Sequence, residues 1–296
     1  MEKSKKLHAE SLDKKYKDSK FMNNWHDLDV IDTRRHYKIL DNIIPVIQAF
    51  GTDCKWLTIG DQIGREAIYL KRKNIKYVIC SSLKHQFKNE LLNYTGMKSE
   101  DKFNNIDEVE DIDVENISKV IPNNSVDFIM CKESFHHFPR PFLGLYKMLE
   151  TCKKGVILLE PQEKMNFVES YGKMENEDKV TNPYESIGNF KYELNLREIC
   201  KSAWALYFPH VIVKGFNDPI KTLRTKDERS KKEKWDKYLH DLNRLNLMGL
   251  KNERNFNLIS CIILKNKLHE NERKILINGN YKIYDRPMNR HIQDEL

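Results

Sequence analysis

Residues 132–141, K-E-S-F-H-H-F-P-R-P, follow a short apolar run and gather the side chains of this chain best suited to moving protons. His136 and His137 are adjacent, and histidine exchanges a proton near neutral pH, so either suits a general base acting on a hydroxyl acceptor. Glu133 opens the same stretch, and Glu160 closes the next apolar run, V-I-L-L-E. A carboxylate at either place would orient an acceptor or take its proton. Each has a structural alternative: a histidine packed under a sheet edge, a solvated acid, or, for Glu133, an acid neutralised by Lys132. Arg140 and Arg197 would clamp a phosphate or carboxylate if they faced a cleft, although most arginines cover surface. A metal centre is not expected. Adjacent histidines rarely point to one ion, and no H-x-x-x-H or cysteine–histidine cluster supports one.

The elements that must position these groups begin at W-L-T-I-G-D-Q-I-G-R-E-A-I-Y-L, residues 56–70. A buried strand runs into a turn bearing Gly60 and Gly64 and then into a helical rhythm, the first half of a nucleotide-binding βαβ unit. Upstream, Ile39, Ile43, Val46, Ile47 and Phe50 recur at helical spacing, with Pro45 as a break and Gly51 as a stop. Residues 1–24 are lysine-rich and weakly periodic and read as a lid-like helix, to which Tyr16, Trp25 and His26 would contribute aromatic groups. Downstream, strands are expected at 76–80, about 106–112, 126–131 and 156–159, and helices at 81–94 and 142–152. Alternation of this kind predicts an α/β fold with a mostly parallel sheet covered on both faces. Residues 162–188 read as a polar loop covering a site. A helix at 194–206, a strand at 211–214, a charged helix at 227–247 and a buried strand at 258–264 follow, then a tail wrapping back on the domain.

Composition narrows the function classes. The formal charge of +7 arises from 51 basic and 44 acidic residues with both signs scattered, which points away from nucleic acid and is compatible with a small anionic substrate. The alternating charges of residues 226–237 read as a solvated helix face. No apolar run has the length of a membrane span, and no apolar core follows the N-terminal lysines. The terminal D-E-L reads as coincidence. Six cysteines without C-x-x-C spacing read as reduced, buried thiols of a cytoplasmic protein.

Three stretches carry a family likeness: L-T-I-G-D-Q-I-G; then D-V-E-N-I with I-P-N-N-S-V-D-F-I-M-C; then K-E-S-F-H-H-F-P-R-P with G-V-I-L-L-E-P. Through them the chain resembles the class I S-adenosylmethionine-dependent methyltransferases, most closely the small-molecule branch with H-H-F after the fourth strand. The resemblance implies a Rossmann-like seven-stranded sheet with helices on both faces and an antiparallel last strand. It further implies a helical appendage over residues 1–50, a catalytic domain over 51–266 and a packed tail over 267–296. Gly60 and Gly64 match the outer glycines of the family's cofactor loop, and Asp113, flanked by Val114 and Glu115, matches the acid that receives the adenine amino group. Cys131, Lys132 and Glu133 would stand beside the sulfonium and the substrate. There are departures: Thr58 replaces the acid common before the loop, Gln62 replaces its middle glycine, and Ser82 stands where an acid usually holds the ribose. Asp61 or Glu66 would compensate for the lost charge-assisted hydrogen bonds. The implied reaction is methyl transfer to a small polar acceptor, an oxygen of a sugar or of a phosphorylated cell-envelope precursor. A catalytically silent binding subunit is the alternative. A nicotinamide-dependent oxidoreductase fits less well, because the full dinucleotide pattern is missing.

Overall fold

The computed structural model describes residues 5–7, 10, 25–96, 103–162, 192–223, 230–253 and 255–288. Tyr16 and the expected covering loop at 162–188, but for its first residue, lie outside them. Helix α1 (Ile31–Leu40) passes through a 3-10 turn (Asp41–Ile43) into α2 (Ile44–Phe50), so the break falls immediately before Pro45, whose missing N–H is tolerated only in a first helical turn. Gly51, at φ +80°, ends α2.

The chain then alternates: β1 (Lys55–Ile59), α3 (Arg65–Arg72), β2 (Tyr77–Ser82), α4 (Lys88–Asn93), β3 (Glu108–Asp111), β4 (Val126–Lys132), α5 (Pro141–Thr151), β5 (Cys152–Pro161), α6 (Leu196–Ala205) and β6 (His210–Phe216). After one helical turn (Ile220–Leu223) come α7 (Lys231–Leu250), β7 (Leu258–Leu264), α8 (Glu270–Asn278) and β8 (Lys282–Asp285). The sheet order is β3-β2-β1-β4-β5-β7-β6-β8. Strands β1 to β5 pair in parallel, and β7 runs antiparallel to both β5 and β6.

Two expectations need correction. The sheet has eight strands, not seven, because the tail folds into α8 and β8, and β8 pairs antiparallel along the β6 edge. The helix expected at 81–94 starts only at Lys88, since Ser81 and Ser82 continue β2 beside β3.

Strand residues alternate between two apolar layers. Trp56, Val78, Phe128 and Ile157 pack under α2 and α3, whereas Leu57, Ile79, Ile129 and Leu158 pack under α5 and α6. Both faces are therefore dry, and the open space lies at the carboxyl ends of the strands. No helix among the described residues is long and apolar enough to cross a membrane.

Candidate functional site

A cavity of about 460 Å³ opens at that carboxyl edge. Its floor is the β1–α3 turn. Gly60 takes φ +75°, and a Cβ there would lie 2.5 Å from Ser134 Oγ, so glycine lets this turn close against the segment after β4. Asp61 Oδ2 accepts from the Ala67 N–H at 2.8 Å and the Thr58 hydroxyl at 3.1 Å, which ties the turn to the start of α3. Burial and the neighbouring Glu66 carboxylate hold the Asp61 pKa well above the usual range. Glu66 is pushed up by burial but held low overall by the hydrogen bond from Asp61 and by Lys132 and Arg65.

Two of the three departures from the family pattern, Gln62 and Ser82, touch each other. Ser82 Oγ donates to Gln62 Oε1 at 2.6 Å, which fixes the amide and leaves Gln62 Nε2 a buried donor with no partner among the described residues. Both residues line the cavity. The wall thus offers a neutral N–H₂ where the resemblance expects an acid.

On the adjoining wall Asp113 caps a 3-10 turn (Val114–Lys119) and accepts from Asn116 at 2.9 Å. The Lys5 ammonium lies 2.7 Å from Asp113 and 2.9 Å from Glu115. Burial pushes the Asp113 carboxyl up, but the hydrogen bonds from Lys5 and Asn116 outweigh it and hold the pKa below the ordinary range. Ile63, Leu83, Val114 and Phe138 supply apolar surface around this acid.

The wall facing α1 carries an ion network. Lys132, at the end of β4 with its side chain 3 % exposed, donates to Glu133 at 2.6 Å and to His36 Nδ1 at 2.9 Å, and lies 3.6 Å from Glu66. Burial opposes the charge on Glu133, but the Lys132 ammonium outweighs it and its pKa falls to about 2. Burial and Lys132 push His36 down to about 3, so its ring is neutral at pH 7; the Lys132 ammonium lies 2.9 Å from Nδ1, and Arg35 Nη1 lies 3.0 Å from Nε2. Arg35 donates to Asp32 at 2.8 Å and to the buried Asp218 at 2.9 Å, and Arg65 lies over Trp25. Sequence reasoning missed Asp32, Arg35 and His36. Their i, i+3, i+4 spacing, which places all three on one helical face, was the available signal.

Of the expected site residues, Gly60, Asp61, Ser82, Asp113, Val114, Glu133 and His137 line the cavity. Thr58, Gly64, Cys131, His136 and Glu160 do not, each for a physical reason. Thr58 and Cys131 are strand residues with no exposed surface, and a Cβ on Gly64 would meet Leu91 Cδ2 at 2.5 Å. Glu160, 0 % exposed, accepts from the Ser134 and Phe135 N–H groups at 2.8 and 2.9 Å and from His136 Nδ1 at 2.7 Å. It holds the segment carrying Ser134 and His137 in place and has no free oxygen facing the cavity. Arg140 pairs with Glu115, and Arg197 is exposed on α6. No metal-binding cluster occurs among the described residues.

No protein-family model matches the chain, and no curated protein matches it in sequence. Solved structures do. A putative sarcosine dimethylglycine methyltransferase from Galdieria sulphuraria superposes with a TM-score of 0.50 at 15% identity, over 77% of this chain and 84% of that one. This is the class I methyltransferase fold. A methyltransferase from Archaeoglobus fulgidus gives 0.47 at 16% identity, covering 78% and 94% of the two chains. Magnesium protoporphyrin IX methyltransferase from Synechocystis, solved with S-adenosylmethionine bound, gives 0.44 at 12% identity over 85% and 94%. Within the methyltransferase fold, the β1–α3 turn, the end of β2 and the segment after β4 together form the cavity described above.

Proposed function

We propose that this chain is an S-adenosylmethionine-dependent methyltransferase acting on a small polar acceptor. One observation supports this above the rest. The carboxyl-edge cavity combines an ionised acceptor, Asp113, set among apolar side chains, with an unpartnered buried donor, Gln62 Nε2. An adenosyl group needs both, together with apolar surface for its base. Asp113 would receive the adenine amino group, and Gln62, fixed by Ser82, would hold a sugar oxygen. When bound, the cofactor supplies a methyl group already activated for displacement.

The chain's remaining task is to align the acceptor and exclude water. His137 is the group placed to take a hydroxyl proton, since His136 is held by Glu160 and Glu133 is too acidic to serve at neutral pH. Arg35, Arg65 and Lys132 all face carboxylates, which favours a neutral, hydroxyl-bearing acceptor such as a sugar over a phosphorylated precursor. The six cysteines are free and buried, in keeping with a reducing, cytoplasmic setting.

The second reading, a binding subunit without turnover, is favoured by Lys5, which occupies the Asp113 carboxylate. Calorimetric titration with S-adenosylhomocysteine tests the first reading, and saturable heat is expected. Absence of heat at millimolar ligand would refute it. Binding without methyl transfer to any hydroxylated acceptor would favour the silent subunit.

A further inference from the structure

A second cavity, of about 210 Å³, lies away from the first. Its walls are the end of α1 and the turn after it (Lys38, Asp41, Asn42), the end of β6 (Lys214, Asn217) and one face of α7 (Tyr238, Asn246). We propose that it binds a small oxyanion that carries a proton of its own, of which hydrogen phosphate is the simplest. The reaction proposed above makes no use of it.

The charge on its walls is unbalanced. Lys214 is half-buried, and among the described residues no carboxylate lies within ion-pair distance of it; the ammonium sits 5.7 Å from the centre of the Tyr281 ring. Burial, and then the like charge of Lys38, lower its pKa. Asp41, the only carboxylate on these walls, is already engaged by the Tyr69 hydroxyl at 3.0 Å, Lys38 at 3.5 Å and Lys73 at 3.9 Å. Two ammonium groups facing one small space, one of them without a counter-charge, form a site that an anion stabilises.

The second observation concerns hydrogen bonding. Asn217 is 1 % exposed, and its amide nitrogen donates to the Leu245 carbonyl at 3.1 Å and to Asn246 Oδ1 at 3.3 Å. Its Oδ1 remains a buried acceptor with no partner among the described residues. A fully deprotonated anion would satisfy the lysines and leave that acceptor bare. An oxyanion with one hydroxyl meets both needs, and no covalent step is involved.

The test is calorimetric titration of the full chain with inorganic phosphate, and in parallel with sulfate, in chloride buffer at neutral pH. Phosphate is expected to bind saturably in the millimolar range or tighter, with sulfate weaker by about tenfold, the worth of one hydrogen bond to a buried acceptor. K214M should weaken phosphate binding by about tenfold or more, and should melt no lower than the wild type in phosphate-free buffer, because it removes a desolvated charge. K38M, on an exposed helix face, is the second variant and should show a smaller loss in the same direction. No saturable heat with phosphate, or unchanged binding by both variants, would overturn the proposal. Equal binding of sulfate and phosphate would overturn the requirement for a protonated ligand. S-adenosylhomocysteine affinity measured in the same variants should be unchanged, which separates this site from the first.

Discussion

Removing the Glu160 side chain should unseat the whole segment after β4. Three N–H donors end on this one carboxylate: the Ser134 and Phe135 amides on Oε1 and the His136 ring on Oε2. Glu160 has no exposed surface, so alanine leaves all three without an acceptor. At about 1–3 kcal/mol for each stranded donor, E160A should cost about 3–9 kcal/mol, a large part of the 5–15 kcal/mol typical of a domain. E160Q is the discriminating variant. Its amide oxygen still accepts from the two backbone groups, and His136 can change tautomer to accept from the new N–H₂. Only the charge assistance is lost, so E160Q should cost about 1–2 kcal/mol. Urea denaturation followed by circular dichroism measures both. Because Ser134 and His137 line the cavity, E160A should also weaken S-adenosylhomocysteine binding in any fraction that folds. A cost for E160A below about 1 kcal/mol, or equal costs for the two variants, would refute the assignment of Glu160 as the anchor of this segment.

Q62L removes the orphaned donor and should weaken S-adenosylhomocysteine binding by about tenfold in calorimetry; it also strips the buried Ser82 hydroxyl of its acceptor and should cost about 1–3 kcal/mol in denaturant titration. G60A places a methyl group 2.5 Å from Ser134 Oγ at φ +75° and should cost about 1–3 kcal/mol in denaturant titration. His26 and His36, each held at about 3 against an unfolded value near 6.5, are neutral in the fold. Their contribution is complete above pH 6.5 and is lost as pH falls toward 3, because the unfolded chain takes up the protons first. Stability should therefore drop through that window by up to ~1.4 kcal/mol per pH unit for each ring. H36Q should flatten the slope of unfolding free energy against pH, and an unchanged slope would refute the burial argument.

Where the sequence was readable, the physics was local. Strand β7 is seven consecutive buried residues, L-I-S-C-I-I-L, and its ends coincide with the expected ones. Strand β8, K-I-Y-D, has no such run: its residues are half-exposed or exposed, and only pairing with β6 makes it a strand. The cavity divides in the same way. Gly60, Asp113 and His137 stand on the cavity wall at motif positions, where a one-dimensional pattern can point to them. No motif position marks Asp32, Arg35 and His36, whose helix reads as an appendage, although its charged face completes the ion network around Lys132. Glu160 is a different case. Its place at a strand end is what a site residue would have, and only the three donors converging on it reveal an internal anchor. The contact between Gln62 and Ser82, twenty residues apart, depends on the parallel pairing of β1 with β2 and has no signature in one dimension.

Asp218 accepts from Arg35 on one oxygen and from the Tyr238 hydroxyl on the other, at 2.9 and 3.0 Å, with all three side chains buried. This riveted joint fastens α1, the segment after β6 and α7 into one stiff block, because parting any pair would strand an ion in a dry interior.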